Sequence, residues 1–363
     1  MKGLVLAGGR GTRLRPITHT LTKQLIPLGN KPIIFYALEA LAQAGIREIG
    51  IIVGKYHPDF PGSIDTRPEI EQAVGDGGAL GVRVTYIEQD APRGIAHAVK
   101  IARDFVGDEP FVTFLGDNFV PAGITSFVEE FARARPNALI LLCKVPNPQN
   151  FGVAVLDNGR AVRLEEKPKQ PPSDLALVGV YLFDAHIFEA IEQIRPSARG
   201  ELEITHAIQW LIDAGLVVQP HLVRGWWKDT GTVQDLLEAN AMVLDQIESR
   251  VEGQVDQASQ LLGNVVVEAG AEVTDSIIQG PAIIGRGTKV VKSLIGPYVS
   301  IYLDAQVEGT EIANSIVLEE STLSRVPGKI RNSLIGKRVV IAAVDREQPW
   351  QEFMVGDYSR ITF

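Results

Sequence analysis

The first 27 residues constrain the fold more than any other stretch of this chain. Residues 4–7 form a short apolar run, which predicts a buried strand, and Gly8, Gly9 and Gly11 follow it. Glycines after a strand let the backbone adopt a positive φ and come close to a ligand. Free backbone N–H groups in such a turn can bind phosphate oxygens. The stretch therefore predicts a phosphate site at the carboxyl end of a first parallel strand.

Basic residues follow the glycines at Arg13, Arg15 and Lys23, and they add positive charge for a triphosphate. The glycine turn matches neither of two nucleotide-binding motifs. It lacks the GxGxxG spacing of dinucleotide-binding proteins and the Gly-Lys-Ser/Thr of a P-loop. On these residues alone, a plain tight turn remains the alternative to a phosphate site.

The composition of the chain limits its partners. The chain has 363 residues, enough for two or three domains, and 45% of them are hydrophobic, which is ample for packed cores. A formal net charge of −9 gives no electrostatic footprint for nucleic acid or an anionic membrane, so an anionic ligand needs a local basic pocket. The single cysteine, Cys143, excludes an internal disulfide and a cysteine-rich metal site. The sequence shows no signal peptide and no long apolar span, which favours the cytoplasm.

The order of the apolar segments predicts a parallel sheet. Residues 33–44 have apolar side chains at helical spacing that end at Gly45, and residues 48–53 are typical of a strand. A strand, a helix and a second strand at this spacing form a βαβ unit. Residues 81–88 predict a third strand, and the fully apolar run 110–115 predicts a central one.

Two loops at the carboxyl edge of this sheet carry polar candidates. Gln89 follows the third strand, and its amide can donate to and accept from a base edge, while Gly94 would let the base approach the backbone. His97 lies inside the next helix and is expected to be a structural or surface residue rather than a ligand. Asp117, with Asn118 beside it, ends the central strand, where Mg²⁺-bound phosphates would sit. An ordinary turn or helix cap is the alternative for both loops.

Polar residues also follow a second group of strands. Residues 151–155 and the sequence Asp157-Asn-Gly159 predict a β-hairpin, after which Glu166 and Lys167 occur. Lys167 is a point-charge donor for a phosphate, and Glu166 is an acceptor for sugar hydroxyls. A surface ion pair is the alternative for these two side chains. Asp229 is a second candidate carboxylate for a metal.

After about residue 250, apolar residues recur near every sixth position. These positions are Val267, Val273, Ile278, Ile284, Val290, Ile295, Ile301 and Val307. The sequences Ile-Ile-Gly-Arg-Gly-Thr288, Leu-Ile-Gly-Pro-Tyr-Val299 and Leu-Ile-Gly-Lys-Arg-Val339 are near copies of one hexad. A six-residue repeat with glycine turns predicts a parallel β-helix, and stacked repeats of this kind favour assembly over catalysis.

The complete N-terminal motif resembles the signature of the sugar-1-phosphate nucleotidylyltransferases. It is Leu6-Ala-Gly-Gly-Arg-Gly-Thr-Arg-Leu-Arg-Pro-Ile-Thr18, continued by Lys23 and Pro27, which is a long motif of mixed composition. The resemblance covers residues 1–245 and implies a catalytic domain of the α/β class, a Rossmann-like mixed, mostly parallel sheet with helices on both faces. Residues 251–363 are expected to form a second domain, a left-handed parallel β-helix of hexapeptide-like repeats.

The resemblance, together with the β-helical tail, implies a reaction. In the long form of this family, glucose 1-phosphate attacks the α-phosphorus of a nucleoside triphosphate, dTTP by preference, in line with the departing pyrophosphate. The product is dTDP-glucose, a first step toward dTDP-deoxysugars, and the cofactor is Mg²⁺. The implied enzyme is a cytoplasmic homo-oligomer with no nucleic acid or membrane partner.

The resemblance also assigns roles to residues of this sequence. Catalysis is assigned to Arg15, Lys23 and Lys167, and metal binding to Asp117 and Asp229. The nucleotide is expected to contact Leu6, Ala7, Gly8, Gly9, Gly11, Thr12, Arg13, Gln24, Gln89 and Gly94. The sugar phosphate is expected to contact Asn118, Gly152, Glu166, Lys167, Val178, Gly179 and Arg199.

Two alternatives stay open. One is a nucleotidylyltransferase that uses UTP or an N-acetylated sugar phosphate and keeps the same mechanism. The other is an inactive regulatory subunit that binds sugar nucleotides. Such paralogues commonly lose phosphate-binding or metal-binding residues, whereas this chain retains Arg15, Lys23, Asp117, Lys167 and Asp229.

Overall fold

A computed structural model of the chain describes residues 1–9, 11–58, 64–223, 227–343 and 358–362. The chain divides into two compact units. The first unit comprises residues 1–10, 22–25 and 33–229, and the second comprises residues 11–21, 26–32 and 230–363. The domain boundary between residues 245 and 251 stays a prediction.

The elements of residues 1–244 include helices and strands in alternation. The helices are α1 Ile33–Gln43, α2 Arg67–Val74, α3 Ile95–Ile101, α4 Arg103–Val106, α5 Thr125–Ala134, α6 His186–Gln193, α7 Ile204–Asp213 and α8 Val233–Leu244. The strands are β1 Lys2–Leu6, β2 Pro27–Leu28, β3 Lys31–Pro32, β4 Glu48–Gly54, β5 Arg83–Gln89, β6 Phe111–Leu115, β7 Asn118–Phe119, β8 Ala138–Lys144, β9 Gly152–Asp157, β10 Arg160–Glu166, β11 Leu175–Phe183, β12 Val218–Leu222 and β13 Lys228–Asp229. Strands β2 and β3 and helix α8 belong to the second unit. Within the described residues, no helix has the length and apolar character needed to cross a membrane.

Most strands of the first unit form one mixed sheet. Its path is β10-β9-β11-β6-β1-β4-β5, with β8 beside β11 and β12 beside β8. Strand β1 pairs in parallel with β4 and β6, and β4 pairs in parallel with β5, so the carboxyl ends of these four strands lie at one edge. Strand β11 runs antiparallel to β6, β8 and β9. The predicted sheet is confirmed, and its antiparallel part is concentrated around β11.

Helices cover both faces of this sheet. Val5 of β1 packs in one core with Leu38 of α1, and the preceding residue, Leu4, packs in the other core with Val99 of α3. All four side chains are completely buried. Successive residues of a strand point to opposite faces, so a strand covered on both faces must be apolar throughout. This is why the central strands appear in the sequence as continuous apolar runs.

A tight hairpin joins β9 to β10. Asn158 and Gly159 both have a positive φ, 47° and 76°, as a two-residue type I′ loop requires. The structure confirms the hairpin that the sequence predicts. Its register sets Glu166, the last residue of β10, opposite Gly152, the first residue of β9, so these two candidate residues lie side by side.

The C-terminal strands stack into a β-helix within the second unit. They are β14 Arg250–Val251, β15 Gln254–Val255, β16 Gln260–Leu262, β17 Val265–Val267, β18 Glu272–Thr274, β19 Ile277–Gln279, β20 Ala282–Ile284, β21 Lys289–Val291, β22 Leu294–Ile295, β23 Val299–Ile301, β24 Gln306–Glu308, β25 Glu311–Ala313, β26 Ser315–Val317, β27 Thr322–Ser324, β28 Lys329–Arg331, β29 Leu334–Ile335 and β30 Val340–Ala342. Every third strand joins the same sheet, and neighbouring strands are parallel. The predicted β-helix fold is confirmed.

One coil of this β-helix takes close to three hexads. The N–H of Ser276 donates to Oγ of Ser259, and the N–H of Ser293 donates to Oγ of Ser276, over a separation of 17 residues in each case. The recurring apolar positions from Val267 to Val307 are all buried inside the coils. The six-residue period in the sequence therefore arises because each short strand or corner of a coil buries one apolar side chain.

Candidate active site

The turn after β1 lies at the edge where the parallel strands end. The carbonyl oxygen of Leu6 accepts a hydrogen bond from the N–H of Gly116, which follows β6, at 2.9 Å. Ala7 is completely buried. A Cβ on Gly8 would lie 3.1 Å from a backbone nitrogen at the end of β4, so a side chain there would be tightly confined. Gly9 is exposed, and its backbone is accessible to a ligand.

Lys23 contacts both predicted metal ligands. Its ammonium nitrogen lies 2.5 Å from Oδ2 of Asp117 and 3.7 Å from Oδ1 of Asp229. The Lys23 side chain is only 6% exposed, whereas the two aspartate side chains are 23% and 24% exposed. Lys23 begins a short 3-10 turn, Asp117 follows β6, and Asp229 ends β13. The fold thus gathers one cation and two carboxylates from three distant parts of the chain.

A two-residue ladder sets the position of the carboxylates. Strand β7 pairs antiparallel with β13, and Asn118 lies opposite Asp229. Asn118 donates to Oδ1 of Asp117 at 3.0 Å, and its own Oδ1 accepts from the indole of Trp227 at 2.6 Å and from the N–H of Gly179 at 3.3 Å. Asn118 is 2% exposed, so in this structure it braces Asp117. Its contact with the sugar stays a prediction.

Lys23 also controls the charge of Asp117. Burial disfavours the ionised carboxylate, but the attraction of Lys23 and the hydrogen bonds from Lys23 and Asn118 outweigh it and lower the pKa of Asp117 below its ordinary value of 3.8. Asp117 is therefore ionised at neutral pH, as a ligand for a divalent cation must be. Among the described residues, no group of three or more histidine, cysteine or acidic side chains is placed to hold a metal.

Gln24 lies beside the same turn. It is 2% exposed, and among the described residues its Oε1 is buried without a hydrogen-bond partner. Its Nε2 lies 3.5 Å from the position of a Cβ on Gly9. A buried carbonyl oxygen without a donor is unfavourable by about 1–3 kcal/mol, so an incoming N–H or O–H donor would stabilise it.

Gln89 and Gly94 lie on another side of this turn. Oε1 of Gln89 is 3.3 Å from the position of a Cβ on Gly8, and its Nε2 faces Nδ1 of His97 at 3.1 Å. Gly94 has a φ of 102°, and a Cβ there would lie 2.4 Å from the carbonyl oxygen of Leu202. Close packing against Leu202 therefore requires glycine at position 94, whatever its predicted contact with a base.

A second polar cluster lies at the end of β10. Oε1 of Glu166 is 3.1 Å from Nη2 of Arg199 and 3.7 Å from Nζ of Lys167, and its Oε2 accepts from the hydroxyl of Thr205 at 3.2 Å. A Cβ on Gly152 would lie 2.5 Å from Cγ2 of Thr205. The structure thus brings together the predicted sugar-phosphate residues Gly152, Glu166, Lys167 and Arg199.

Acidic groups outnumber basic groups in this second cluster. Nη2 of Arg199 also lies 2.8 Å from Glu203 and 3.3 Å from Glu201. Burial, reinforced by Glu203, raises the pKa of Glu166 above its ordinary value, and Lys167 and Arg199 oppose that rise. Lys167 is the more accessible of the two cations for a phosphate, with a side chain that is 44% exposed against 39% for Arg199. The contact of Arg199 with a sugar phosphate stays a prediction.

Val178 and Gly179 lie in the middle of β11. Val178 is completely buried in the core, so its side chain belongs to the packing of the sheet. A Cβ on Gly179 would lie 2.6 Å from Oδ1 of Asn118, which leaves no space for a larger residue. Of these two residues, Gly179 is the one that contacts the aspartate cluster, through its N–H.

The remaining predicted nucleotide residues lie on a segment of the second unit. Gly11 has a φ of 58°, and Thr12 and Arg13 are exposed. The Arg15 guanidinium lies over the ring of Tyr358 at 5.6 Å, and its Nε is buried without a hydrogen-bond partner among the described residues. The nucleotide contacts of Gly11, Thr12, Arg13 and Arg15 stay predictions.

Three supporting side chains were not among the predicted site residues. Trp227 donates to Asn118 and packs edge-on against Phe151 at 5.2 Å. Thr205 and Glu203 are 1% and 4% exposed and hold the second cluster. The sequence carries a signal for these two, because polar residues alternate with apolar ones where the segment enters the buried helix α7.

Comparison with known proteins defines the class. Residues 2–246 match the model of a family described as nucleotidyl transferase. Because this match spans well over half of the chain, the chain belongs to the nucleotidyl transferase family.

Relatives extend the likeness to the full length. A glucose-1-phosphate thymidylyltransferase of Streptomyces griseus is 51% identical over 361 residues, which are 99% of each chain. The low-salt glycan biosynthesis nucleotidyltransferase Agl11 of Haloferax volcanii is 44% identical over 365 residues, again 99% of each chain. The crystal structure of a candidate glucose-1-phosphate thymidylyltransferase from Bacillus anthracis, in complex with sucrose, aligns with a TM-score of 0.62 and 41% identity. It covers 69% of this chain and 98% of the solved one.

Proposed function

We propose that this chain is a glucose-1-phosphate thymidylyltransferase, which forms dTDP-glucose and pyrophosphate from dTTP and glucose 1-phosphate. The observation that carries the proposal is the approach of Lys23 to both Asp117 and Asp229 at the edge where β1 and β6 end. A relative that is 51% identical over nearly the whole chain bears the name of this reaction, which supports the choice of substrates.

The reaction requires the site to bring two polyanions together. The sugar phosphate is already ionised near neutral pH, so its oxygen can attack the α-phosphorus without a general base while pyrophosphate leaves in line. The protein must therefore position the two phosphates and stabilise the negative charge that spreads over the equatorial oxygens in the transition state. Cationic side chains and backbone N–H groups at the sheet edge are suited to this task.

Asp117 and Asp229 are the proposed ligands of Mg²⁺. Their oxygens already approach one ammonium group, so both side chains can face a single cation, and their partial exposure leaves space for water and phosphate oxygens. Magnesium sites commonly use one or two carboxylates in this way. When bound there, Mg²⁺ would neutralise charge on the α-phosphate and on the leaving pyrophosphate.

Lys23 and Lys167 are proposed to hold the reacting phosphates. Lys23 has three N–H donors, so it can donate to a triphosphate oxygen and still contact one of the two carboxylates. Lys167 has an exposed side chain beside Glu166 and would hold the phosphate of the sugar, with Glu166 accepting from a sugar hydroxyl. Arg15 and Arg199 complete the proposed set of phosphate contacts, and Gln89 reads the base.

The main alternative is the same chemistry with UTP or with an N-acetylated sugar phosphate. The carboxylate and lysine cluster would serve both equally, because its proposed partners are phosphates rather than the base or the sugar ring. An inactive regulatory subunit is less favoured, because Lys23, Asp117 and Asp229 are all present and in contact.

Pyrophosphate release tests the proposal directly. It should be measured with dTTP, UTP, CTP, ATP and GTP, each with glucose 1-phosphate and Mg²⁺, in the wild type and in Asp117→Ala. We expect dTTP to be the best substrate and the variant to be inactive. A preference for UTP would keep the mechanism and overturn the base assignment. Failure of every nucleotide with glucose 1-phosphate and with other sugar phosphates would overturn the proposal and support the regulatory subunit.

We also infer a homo-oligomer that uses the β-helix. Stacked repeat domains present extended, regular surfaces, and this one leaves Leu262 and Ile277 about half exposed on neighbouring coils, at 49% and 40%. Light scattering coupled to size exclusion gives the mass directly. A monomer at micromolar concentration would contradict the inference.

A further inference from the structure

We infer that His97 is a positioning residue that sets the base preference of the nucleotide site. The Gln89 amide approaches two groups through Nε2: Nδ1 of His97 at 3.1 Å and the carbonyl oxygen of Gly94 at 3.4 Å. The inference rests on the proposed function, in which Gln89 reads the base. It adds a residue that contacts no substrate and acts only through Gln89.

The contacts fix which end of the amide points where. The carbonyl oxygen of Gly94 can only accept a hydrogen bond, so the NH₂ of Gln89 must face it. The same NH₂ faces Nδ1 of His97, which must then be the accepting nitrogen, with the ring proton on Nε2. Nε2 lies 3.7 Å from Oδ1 of Asp90, which is a suitable neighbour for an N–H group. His97 is 9% exposed, so the protein rather than bulk water determines this arrangement.

This orientation directs Oε1 of Gln89 toward the turn after β1. Oε1 lies 3.3 Å from the position of a Cβ on Gly8, and among the described residues it accepts no hydrogen bond. Thymine and uracil carry an N–H donor at ring position 3, whereas cytosine carries an acceptor there. An outward carbonyl oxygen pairs with the first two bases and opposes the third. A flipped amide would present NH₂ and lose this selection.

Protonation of His97 would remove the acceptor that holds the amide. Burial lowers the pKa of His97 below its ordinary value of 6.5, Asp90 opposes this, and Arg93 and Lys100 reinforce it. His97 is therefore neutral near pH 7 and becomes a donor at Nδ1 only at more acid pH. The other charged residues that line the surface cavity beside His97 are Arg103, Asp104 and Glu192.

Two substitutions distinguish the effect of the accepting nitrogen of His97 from the effect of its ring. His97→Phe keeps a planar ring of similar size and removes the acceptor, whereas His97→Asn places an amide oxygen near the position of Nδ1. The readout is the ratio of kcat/KM for dTTP to kcat/KM for dCTP, measured with glucose 1-phosphate at pH 8. We expect this ratio to fall about tenfold in His97→Phe and to stay near the wild-type value in His97→Asn. The KM for glucose 1-phosphate should not change in either variant.

A folded His97→Phe protein with the wild-type ratio would overturn the inference while the proposed function stands. If His97→Phe does not fold, the pH profile of the ratio decides. At acid pH the ratio should fall further in the wild type than in His97→Asn, because only the wild type protonates His97, whereas titration of the cytosine base is common to both enzymes. Identical profiles would overturn the inference. A wild type that transfers no nucleotide would overturn the proposed function and the inference together, which is a distinct outcome.

Discussion

Asn118 lies directly opposite Asp229 in the antiparallel pairing of β7 with β13. This pairing brings the two predicted metal ligands close together, because Asp117 precedes Asn118 and accepts a hydrogen bond from it at 3.0 Å. The spacing of the two carboxylates is therefore set by backbone pairing and by a buried amide, rather than by the flexible side chains alone. Such fixed positions are what a site needs in order to stabilise a transition state without reorganising.

The first prediction concerns the two carboxylates. Asp117→Asn and Asp229→Asn should each lower kcat/KM by about 10²–10³, equivalent to about 3–4 kcal/mol, because each removes one charge from the proposed magnesium site. The half-saturating Mg²⁺ concentration, measured by titrating pyrophosphate release, should rise in both variants. Asp157→Asn, in the exposed hairpin loop region, is the matched control and should leave both quantities unchanged. Wild-type activity in either site variant would contradict the assignment.

The second prediction concerns the stability that Lys23 supplies. The folded-state pKa of Asp117 is lowered by Lys23 below the ordinary 3.8, so Asp117 contributes stability above that pH and loses it as the pH falls through the lowered value. Lys23→Met leaves the partly buried carboxylate without its cation, which should reduce the free energy of unfolding by about 3 kcal/mol at pH 7. The difference from the wild type should shrink below pH 4.

Thermal unfolding at pH 7 and pH 3 checks this prediction. Lys23→Arg keeps the positive charge and should lose much less stability at pH 7 than Lys23→Met does. Equal losses at the two pH values would show that Lys23 stabilises the fold by packing rather than through Asp117.

Several parts of the fold could be predicted from the sequence because their signals are local. The β-helix is one, since each buried position, such as Ile284 or Val290, recurs about six residues after the last. The β9–β10 hairpin is another, because Asn158 and Gly159 adopt positive φ readily. The resemblance to the family also assigns roles to Lys23, Asp117 and Asp229, which lie together in the structure.

Other parts depend on pairings between distant residues and leave no local signal. Trp227 donates a hydrogen bond to Asn118, which lies 109 residues away in the sequence, and the residues around each of them do not indicate this pairing. The burial of Glu166 follows from the way α7 packs beside β10, where Thr205 covers it. The place of His97 in a helix predicts a structural role, whereas its contact with Gln89 depends on how α3 packs beside β5.

The third prediction concerns Lys167. Its side chain is partly exposed and has one ion pair among the described residues, with Glu166 at 3.7 Å, so the fold depends little on it. Lys167→Ala should lower kcat by about 10²-fold, on the order of 3 kcal/mol, and change the unfolding temperature by less than about 2 °C. Lys169→Ala, two residues further on and also exposed, is the control and should be fully active. Parallel loss of activity and stability in Lys167→Ala would contradict a role in phosphate binding.

The fourth prediction concerns the charge of Glu166. Burial and Glu203 raise its folded-state pKa above the ordinary 4.5, even with Lys167 and Arg199 nearby, so the ionised carboxylate destabilises the fold at high pH and not below pH 4.5. Glu166→Gln removes the charge and keeps one carbonyl oxygen, which can still accept from Arg199, while its NH₂ faces Thr205, whose hydroxyl can accept instead of donate. It should therefore raise the unfolding temperature by a few degrees at pH 8, whereas at pH 4.5 the gain should largely disappear. The adjacent Glu165→Gln serves as the control. A gain of the same size at both pH values would show that the carboxylate charge is not the cause, and a loss at pH 8 would show that the ion pair with Arg199 outweighs burial.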